Sequence, residues 1–336
     1  MSENKAIHKI GKTVLEEIVN AVGLGCITNI SKSIYEARME IDNDKLYEFV
    51  VELKKHDIKE NAINNENFVS IVKRLYIEDE VSKSKLYARL AISLSEDSLT
   101  KDDRVYYINT ISQLTNADIE LAKKIYIYSS YDIKGYLNRG EQVKKLTTGN
   151  TGILLKSKNN LISNGLIYDE KSGAIEANPA YEITKELRNF ISFIFNEEEL
   201  SPNAIGCDSK NYYDVIIVDH FKSYKNLYVS YLYDKLKSNN LKVIVIERNE
   251  LDLSEVETKI IVNTNKLLKS SSGRREEDYI EIKVSDKKSR DEIRSKYGSE
   301  EILEDKFFNH KKVVSYRNEL ISVLDKVVSR VLRSIS

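Results

Sequence analysis

The chain has 336 residues, of which 41% are hydrophobic and 31% charged. That is enough for two to three domains of about 100–200 residues each, and too apolar for a disordered chain. Lys and Arg number 52 against 53 Asp and Glu, a formal net charge of -1, which excludes a general attraction to nucleic acid or anionic membrane and leaves such binding to a local patch.

The polar start, Met1 to Lys5, does not read as a signal peptide. Ile7, Ile10, Val14, Ile18 and Ala21 share a helical face, and Ser31 to Met39 again has helical spacing. The apolar run Ala21 to Ile27 is far shorter than the roughly 20 residues a spanning helix needs, so no membrane span is expected. Leu46, Phe49, Val50 and Leu53 form an i, i+3, i+4, i+7 stripe, with Asn43 or Asp44 as cap. Phe68, Ile71, Val72 and Leu75 line a further helix. Leu86, Leu90, Ala91 and Leu94 line the next, which starts near Ser82 or Ser84. Tyr107, Ile108, Ile111 and Leu114 follow, then a helix from Asp118 to Tyr128 capped by Thr115 or Asn116. The expectation is a helical bundle over residues 1–135.

Residues 136–196 change rhythm. A helix over Thr151 to Ser163 ends at Asn164-Gly165, as helices end at a glycine. A short strand at Leu166 to Tyr168, a turn at Lys171-Ser172-Gly173, a strand at Tyr181 to Thr184 and a helix at Lys185 to Phe195 complete the order of a winged-helix subdomain. Asn196 to Asn211 reads as a linker. From there the apolar pattern becomes unbroken and β-branched. Tyr213 to Asp219 and Leu241 to Glu247 predict strands buried on both faces, joined by a helix over Asn226 to Ser238, hence parallel. Lys259 to Asn263 and Tyr279 to Val284 are further strand candidates, and Phe307 to Ile335 predicts a closing helix. The fold class expected is mainly α followed by a small parallel-sheet α/β domain over residues 212–336.

Cys26 and Cys207 are the only cysteines. No Cys/His spacing suits a metal, and no cofactor motif is present. So sparse a cysteine content fits a reducing, cytoplasmic setting. The prolines, Pro179 and Pro202, both fall near segment boundaries.

Three places carry candidate chemistry, none of them a complete catalytic motif. In the winged-helix segment Lys144, Lys145, Lys156 and Lys158 can meet phosphates, and Asn159 and Asn160 base edges, if the Thr151 to Ser163 helix enters a major groove. At the carboxyl ends of the first two α/β strands Asp219, His220 and Glu247 could do acid–base work, although the turn after Val218 has no glycine to cradle a phosphate. Ser270 to Asp278, with Arg274-Arg275 against Glu276-Glu277-Asp278, is either a mobile binding loop or a solvated charge run. His8, His56 and His310 have no partner at ligand spacing. The tyrosines Tyr126, Tyr128, Tyr131 and Tyr136 cluster, as stacking platforms or as packing.

Glu78-Asp79-Glu80-Val81-Ser82-Lys83-Ser84-Lys85-Leu86-Tyr87-Ala88-Arg89-Leu90-Ala91 resembles the abortive-infection alpha family of bacteria. Tyr107 to Asp118, Asn160 to Ile167 and Tyr181 to Thr184 continue the likeness, which covers roughly residues 45–195. The resemblance implies a role in bacterial defence against phage, with cell death or growth arrest as the output, and it carries no catalytic residues over. The helical half and the lack of a complete catalytic motif point to a non-enzymatic regulatory or sensing protein acting through a protein partner or a homo-oligomer. The strand–helix–strand order after Tyr212 is similar to a Toll/interleukin-receptor-type domain, which implies NAD cleavage as an alternative. A winged-helix transcriptional regulator acting on DNA is the third reading.

Overall fold

The computed structural model describes residues 43–55, 65–95, 99–169, 181–219, 227–271, 274–286, 304–309 and 317–335. The helices expected over Ile7 to Ala21 and Ser31 to Met39 lie outside these residues. The chain mixes helix and sheet and divides into two compact units, one drawn from residues 1–131 and 140–207, the other from 132–139 and 208–336. Among the described residues no helix is long and apolar enough to cross a membrane.

The first unit contains α1 (Asn43–Lys55), α2 (Asn65–Ile77), α3 (Ser84–Ser93), α4 (Lys101–Gln113), α5 (Asn116–Ser130), α6 (Arg139–Thr147), α7 (Gly152–Ser163), the short strands β1 (Ile167–Asp169) and β2 (Tyr181–Ile183), and α8 (Lys185–Ile194). Local chemistry sets their starts. Thr100 with Asp103 and Thr115 with Asp118 form reciprocal capping boxes at α4 and α5, each satisfying two otherwise orphaned N–H groups. Thr151 and Thr184 cap α7 and α8 in the same way from one side. β1 and β2 pair antiparallel, Ile167 opposite Ile183.

One buried cluster holds these elements together. It includes Phe49, Phe68, Ile71, Tyr87, Leu90, Ile111 and Ile125, and equally Val143, Leu161, Leu166, Ile183, Leu187 and Phe190. Residues 140–196 therefore share a core with the helices that precede them. Polar ties cross it as well. Arg74 donates to Ser112 Oγ at 3.0 Å and Asn109 Oδ1 at 2.7 Å, and Tyr106 donates to the Asn164 carbonyl at 2.6 Å.

The second unit is a five-stranded sheet in the order β4-β3-β5-β6-β7, with β3 (Asn211–Asp219), β4 (Val243–Glu247), β5 (Val256–Ser271), β6 (Arg274–Asp286) and β7 (Glu304–Asn309). β3 runs parallel to β4 and β5, as the β-branched runs and the crossover length predict. One face carries Val215, Ile217, Ile260, Val262, Ile282 and Val284 under α9 (Leu227–Ser238) and α10 (Arg317–Ile335). α10 supplies Leu324, Val327, Val328 and Val331 at helical spacing. The other face carries Ile216, Val218 and Ile261, packed by Leu251 and Leu253 of the β4–β5 connection.

Three expectations are corrected here. The sheet is mixed, because β6 and β7 join it antiparallel. The Ser270 to Asp278 run is strand at both of its described ends: Ser270 and Ser271 close β5, and Arg274 to Asp278 open β6, with Glu277 in register with Lys269 and Arg274 with Ser271. Phe307 and Phe308 belong to β7, where Phe308 lies opposite Ile280, and the closing helix is described over Arg317–Ile335, residues 310–316 of the expected helix lying outside the described residues. The Asn196 to Asn211 segment is likewise no slack linker. It winds through two 3-10 turns, Glu198–Leu200 and Pro202–Ile205, and closes at Gly206 with φ 72°, a left-handed conformation that suits glycine.

Candidate functional site

The first candidate lies at the carboxyl ends of β3 and β4. Asp219 and Glu247 are register partners on adjacent parallel strands, which places their Cα atoms about 4.8 Å apart in the ladder direction. On the other side Asp219 is paired with Thr264 of β5, a buried residue whose hydroxyl donates to the Val218 carbonyl at 2.9 Å. Arg248 N–H closes the end of the ladder on the Asp219 carbonyl at 3.1 Å. α9 packs on one face of the sheet, and Leu251 and Leu253 of the β4–β5 connection pack on the other. In parallel sheets ligands sit beyond the carboxyl ends of the strands, where Asp219 and Glu247 lie. So the structure brings Asp219 and Glu247 together, while His220 lies outside the described residues. Two carboxylates at neighbouring strand ends can together attract a cation. Among the described residues no group of three or more His, Cys, Asp or Glu converges to hold a metal ion.

The second candidate is the surface of α6 and α7. Lys144, Lys145, Lys156 and Asn159 are exposed. Lys158 and Asn160 are engaged in internal hydrogen bonds. Lys158 is buried, donates to the Thr147 carbonyl at 3.0 Å and lies over the Tyr181 ring at 5.7 Å from its centre. Its ammonium is thus spent on tying the α6 end to α7 and β2. Asn160 donates to Asp118 Oδ2 at 2.9 Å, joining α7 to α5. What α7 presents to solvent includes three large aliphatic side chains, Ile153 at 76% exposure, Leu155 at 43% and Ile162 at 41%. Of the tyrosines, Tyr126 and Tyr128 pack against the core, and the Tyr128 hydroxyl is 3.7 Å from Cys207 Sγ.

Sequence reasoning missed the buried ionic groups. Arg89 on α3 binds Glu52 of α1 at 2.5 Å, Glu199 at 2.5 Å and the Ile194 carbonyl at 3.2 Å. Burial raises the Glu52 pKa, but the hydrogen bonds from Lys55 and Arg89 outweigh it and hold the carboxyl below its ordinary range. Lys83 is paired with Glu78, which also accepts from the Tyr87 hydroxyl at 3.1 Å. Burial and the Glu78 charge push that phenol upward. Helical spacing offers Lys55 to Glu52, three residues apart on α1, but not Arg89 to Glu52 or Glu199, whose members lie on different elements. Comparison with protein-family models, curated proteins and solved structures finds no match to this chain.

Proposed function

We propose that the chain is a non-enzymatic regulatory or sensing protein of a bacterial phage-defence system of the abortive-infection kind, working in the cytoplasm through contacts with another protein or another copy of itself. The resemblance of residues 45–195 to the abortive-infection alpha family suggests the setting. The observation that carries the mode of action is on α7. The order α6, α7, β1, β2, α8 supports reading this segment as a winged helix, in which α7 would be the recognition helix. In a DNA reader that helix exposes groups for phosphates and base edges. Here Lys158 and Asn160 are turned to internal bonds, while Ile153, Leu155 and Ile162 face solvent. Exposed aliphatics on an otherwise polar helix fit a protein surface better than a phosphate backbone.

Expression of the full-length chain in a phage-sensitive host tests this. Protection is expected from the natural sequence and is expected to fall on Ile153→Glu and Leu155→Glu at unchanged protein level. Protection that survives both changes contradicts the α7 reading.

The paired carboxylates Asp219 and Glu247 favour one second reading, an effector that cleaves NAD, to which the parallel β4-β3-β5 half of the sheet also lends itself. The antiparallel β6 and β7 depart from an all-parallel sheet of that type. Incubating the purified protein with NAD, with and without phage lysate, distinguishes the two. Lys144, Lys145, Lys156 and Asn159 leave DNA as the third partner, and a gel shift at low salt tests it.

A further inference from the structure

Strand β4 is an edge of its sheet among the described residues. The hydrogen bonds fix which way its backbone faces. Lys242 carbonyl accepts from Asp214 N–H at 2.8 Å, and Arg248 N–H donates to the Asp219 carbonyl at 3.1 Å. Even-numbered residues of β4 therefore point their N–H and C=O groups at β3, and Val243 and Val245 point theirs away from it. The side chains of Val243 and Val245 share the sheet face of their register partners Val215 and Ile217, the face that carries α9. Val245 is 37% exposed. Beside it α9 and β4 enclose an open concavity of about 470 Å³ lined by Val229, Tyr233, Asp234, Val243 and Val245.

Monomeric proteins blunt such an edge with charge, proline or a bulge. Val243-Ile244-Val245-Ile246 has none of these, and charge enters only at its ends, with Lys242 and Glu247. The other edge differs in sequence: β7 reads Glu304-Asp305-Lys306-Phe307-Phe308-Asn309, half of it charged.

We infer that β4 pairs with the β4 of a second copy of this chain, antiparallel about a two-fold axis through the Ile244 pair. A two-fold perpendicular to the sheet requires residues of the same face to oppose one another. Centred on Ile244, it sets Val243 against the partner's Val245 and the reverse. These are the two residues whose backbone groups point outward, so about four hydrogen bonds form. Apolar side chains meet on both faces of the joined sheet. The two α9 helices then run antiparallel on one side and fill each other's concavity. The α9 rim carries Asp234 and Lys237 one turn apart, opposite charges that a two-fold axis makes self-complementary.

The inference deepens the reading that the chain acts through protein contacts, and its test reads mass rather than protection, so the two can fail separately. Sedimentation equilibrium of the full-length protein across micromolar concentrations is expected to give twice 38.7 kDa, falling toward the single mass on dilution. Val245→Lys, which places a charge on the edge, and Ser230→Glu, an exposed position on α9 beside the concavity, are each expected to weaken the dimer by about tenfold or more. Amide exchange at Val243 and Val245 is expected to slow with rising concentration, a readout independent of either variant. A mass of 38.7 kDa at every concentration overturns the inference and leaves the edge to a strand from a different protein. A dimer that both variants leave intact overturns it too, because the contact then lies elsewhere.

Discussion

Asn160 donates its side-chain amide to Oδ2 of Asp118 at 2.9 Å, so the capping residue of α5 is also the anchor of α7. Asp118 is 1% exposed. Its carboxylate accepts from Thr115 N–H at 2.9 Å, closing the capping box, and from Ser157 of α7. A residue that caps one helix and holds the next ties local structure to tertiary packing. Asp118→Ala is expected to cost about 2–4 kcal/mol, a lost cap together with buried donors left without an acceptor. Asn160→Ala, which leaves the capping box intact, is expected to cost about 1 kcal/mol. Urea titration of the two variants checks the order.

The same group predicts acid sensitivity. Burial raises the Asp118 pKa, and the hydrogen bonds from Ser157, Thr115 and Asn160 more than reverse it. Glu52 is held low in the same sense by Lys55 and Arg89. A carboxyl with a folded pKa below its unfolded one binds fewer protons when folded. Its contribution is therefore complete above the unfolded value, about 4, and is lost as pH falls through the folded value. Stability is expected to be flat on their account from about pH 6 to 8 and to fall below about pH 4.5. Thermal unfolding against pH should show that fall flattened in Glu52→Gln, which cannot titrate. An equal slope in that variant contradicts the assignment.

Arg89 joins α1, α3 and the turn after α8 through Glu52 and Glu199. Glu52 is 2% exposed, so removing Arg89 leaves one oxygen of a buried carboxylate without its guanidinium and Lys55, at 2.8 Å, as the remaining cation. Arg89→Ala is expected to destabilise by about 3 kcal/mol, well above an exposed ion pair at 1 kcal/mol or less. Lys85→Ala, which breaks the half-exposed pair with Glu48 at 3.0 Å, supplies that comparison and should change stability by about 0.5 kcal/mol or less.

Lys158 and Lys156 make a second contrast, and show where sequence reading stops. Both looked like phosphate contacts because a sequence displays charge but not direction. Leu154, Lys158 and Leu161 nevertheless fall at i, i+4 and i+7, which places Lys158 on the apolar stripe, and that spacing was available from the start. Lys158→Ala is expected to lower stability by about 1–3 kcal/mol, since it removes a buried donor to the Thr147 carbonyl, and Lys156→Ala to stay within about 0.5 kcal/mol. The apolar faces of α1 to α5 were legible for the same reason Lys158 could have been. Leu46, Phe49, Val50 and Leu53 leave no other side to bury. Strand β3 was equally clear from Val215 to Val218. The lengths of β5 and β6 were not, because Lys269 to Ser271 and Arg274 to Asp278 are polar and become strand only by pairing with each other. Strand stability there belongs to the partner strand and not to the residue. Asn160 gave no warning at all, since its acceptor lies 42 positions away.

Lys210 controls how residues 132–139 are held within the second unit. This segment precedes α6 in sequence. Lys134 N–H donates to the Asp208 carbonyl at 2.9 Å, Lys210 N–H to the Asp132 carbonyl at 2.8 Å and Gly135 N–H to the Ser254 carbonyl at 3.0 Å. The Lys210 ammonium, itself buried, donates to the Leu253 carbonyl at 2.7 Å and the Leu137 carbonyl at 3.2 Å, with Glu257 at 3.9 Å. One cation thus bridges the segment and the β4–β5 connection. Lys210→Met keeps the apolar stem and removes both donations, leaving two carbonyls to find water. The expected cost is about 2–3 kcal/mol, concentrated locally. Hydrogen exchange should speed at the Lys134 and Gly135 amides, while the amides of Ile216 and Ile217 in central β3 change only as far as global stability does. Uniform acceleration across the sheet would instead make Lys210 a general contributor to the core, with no special hold on residues 132–139.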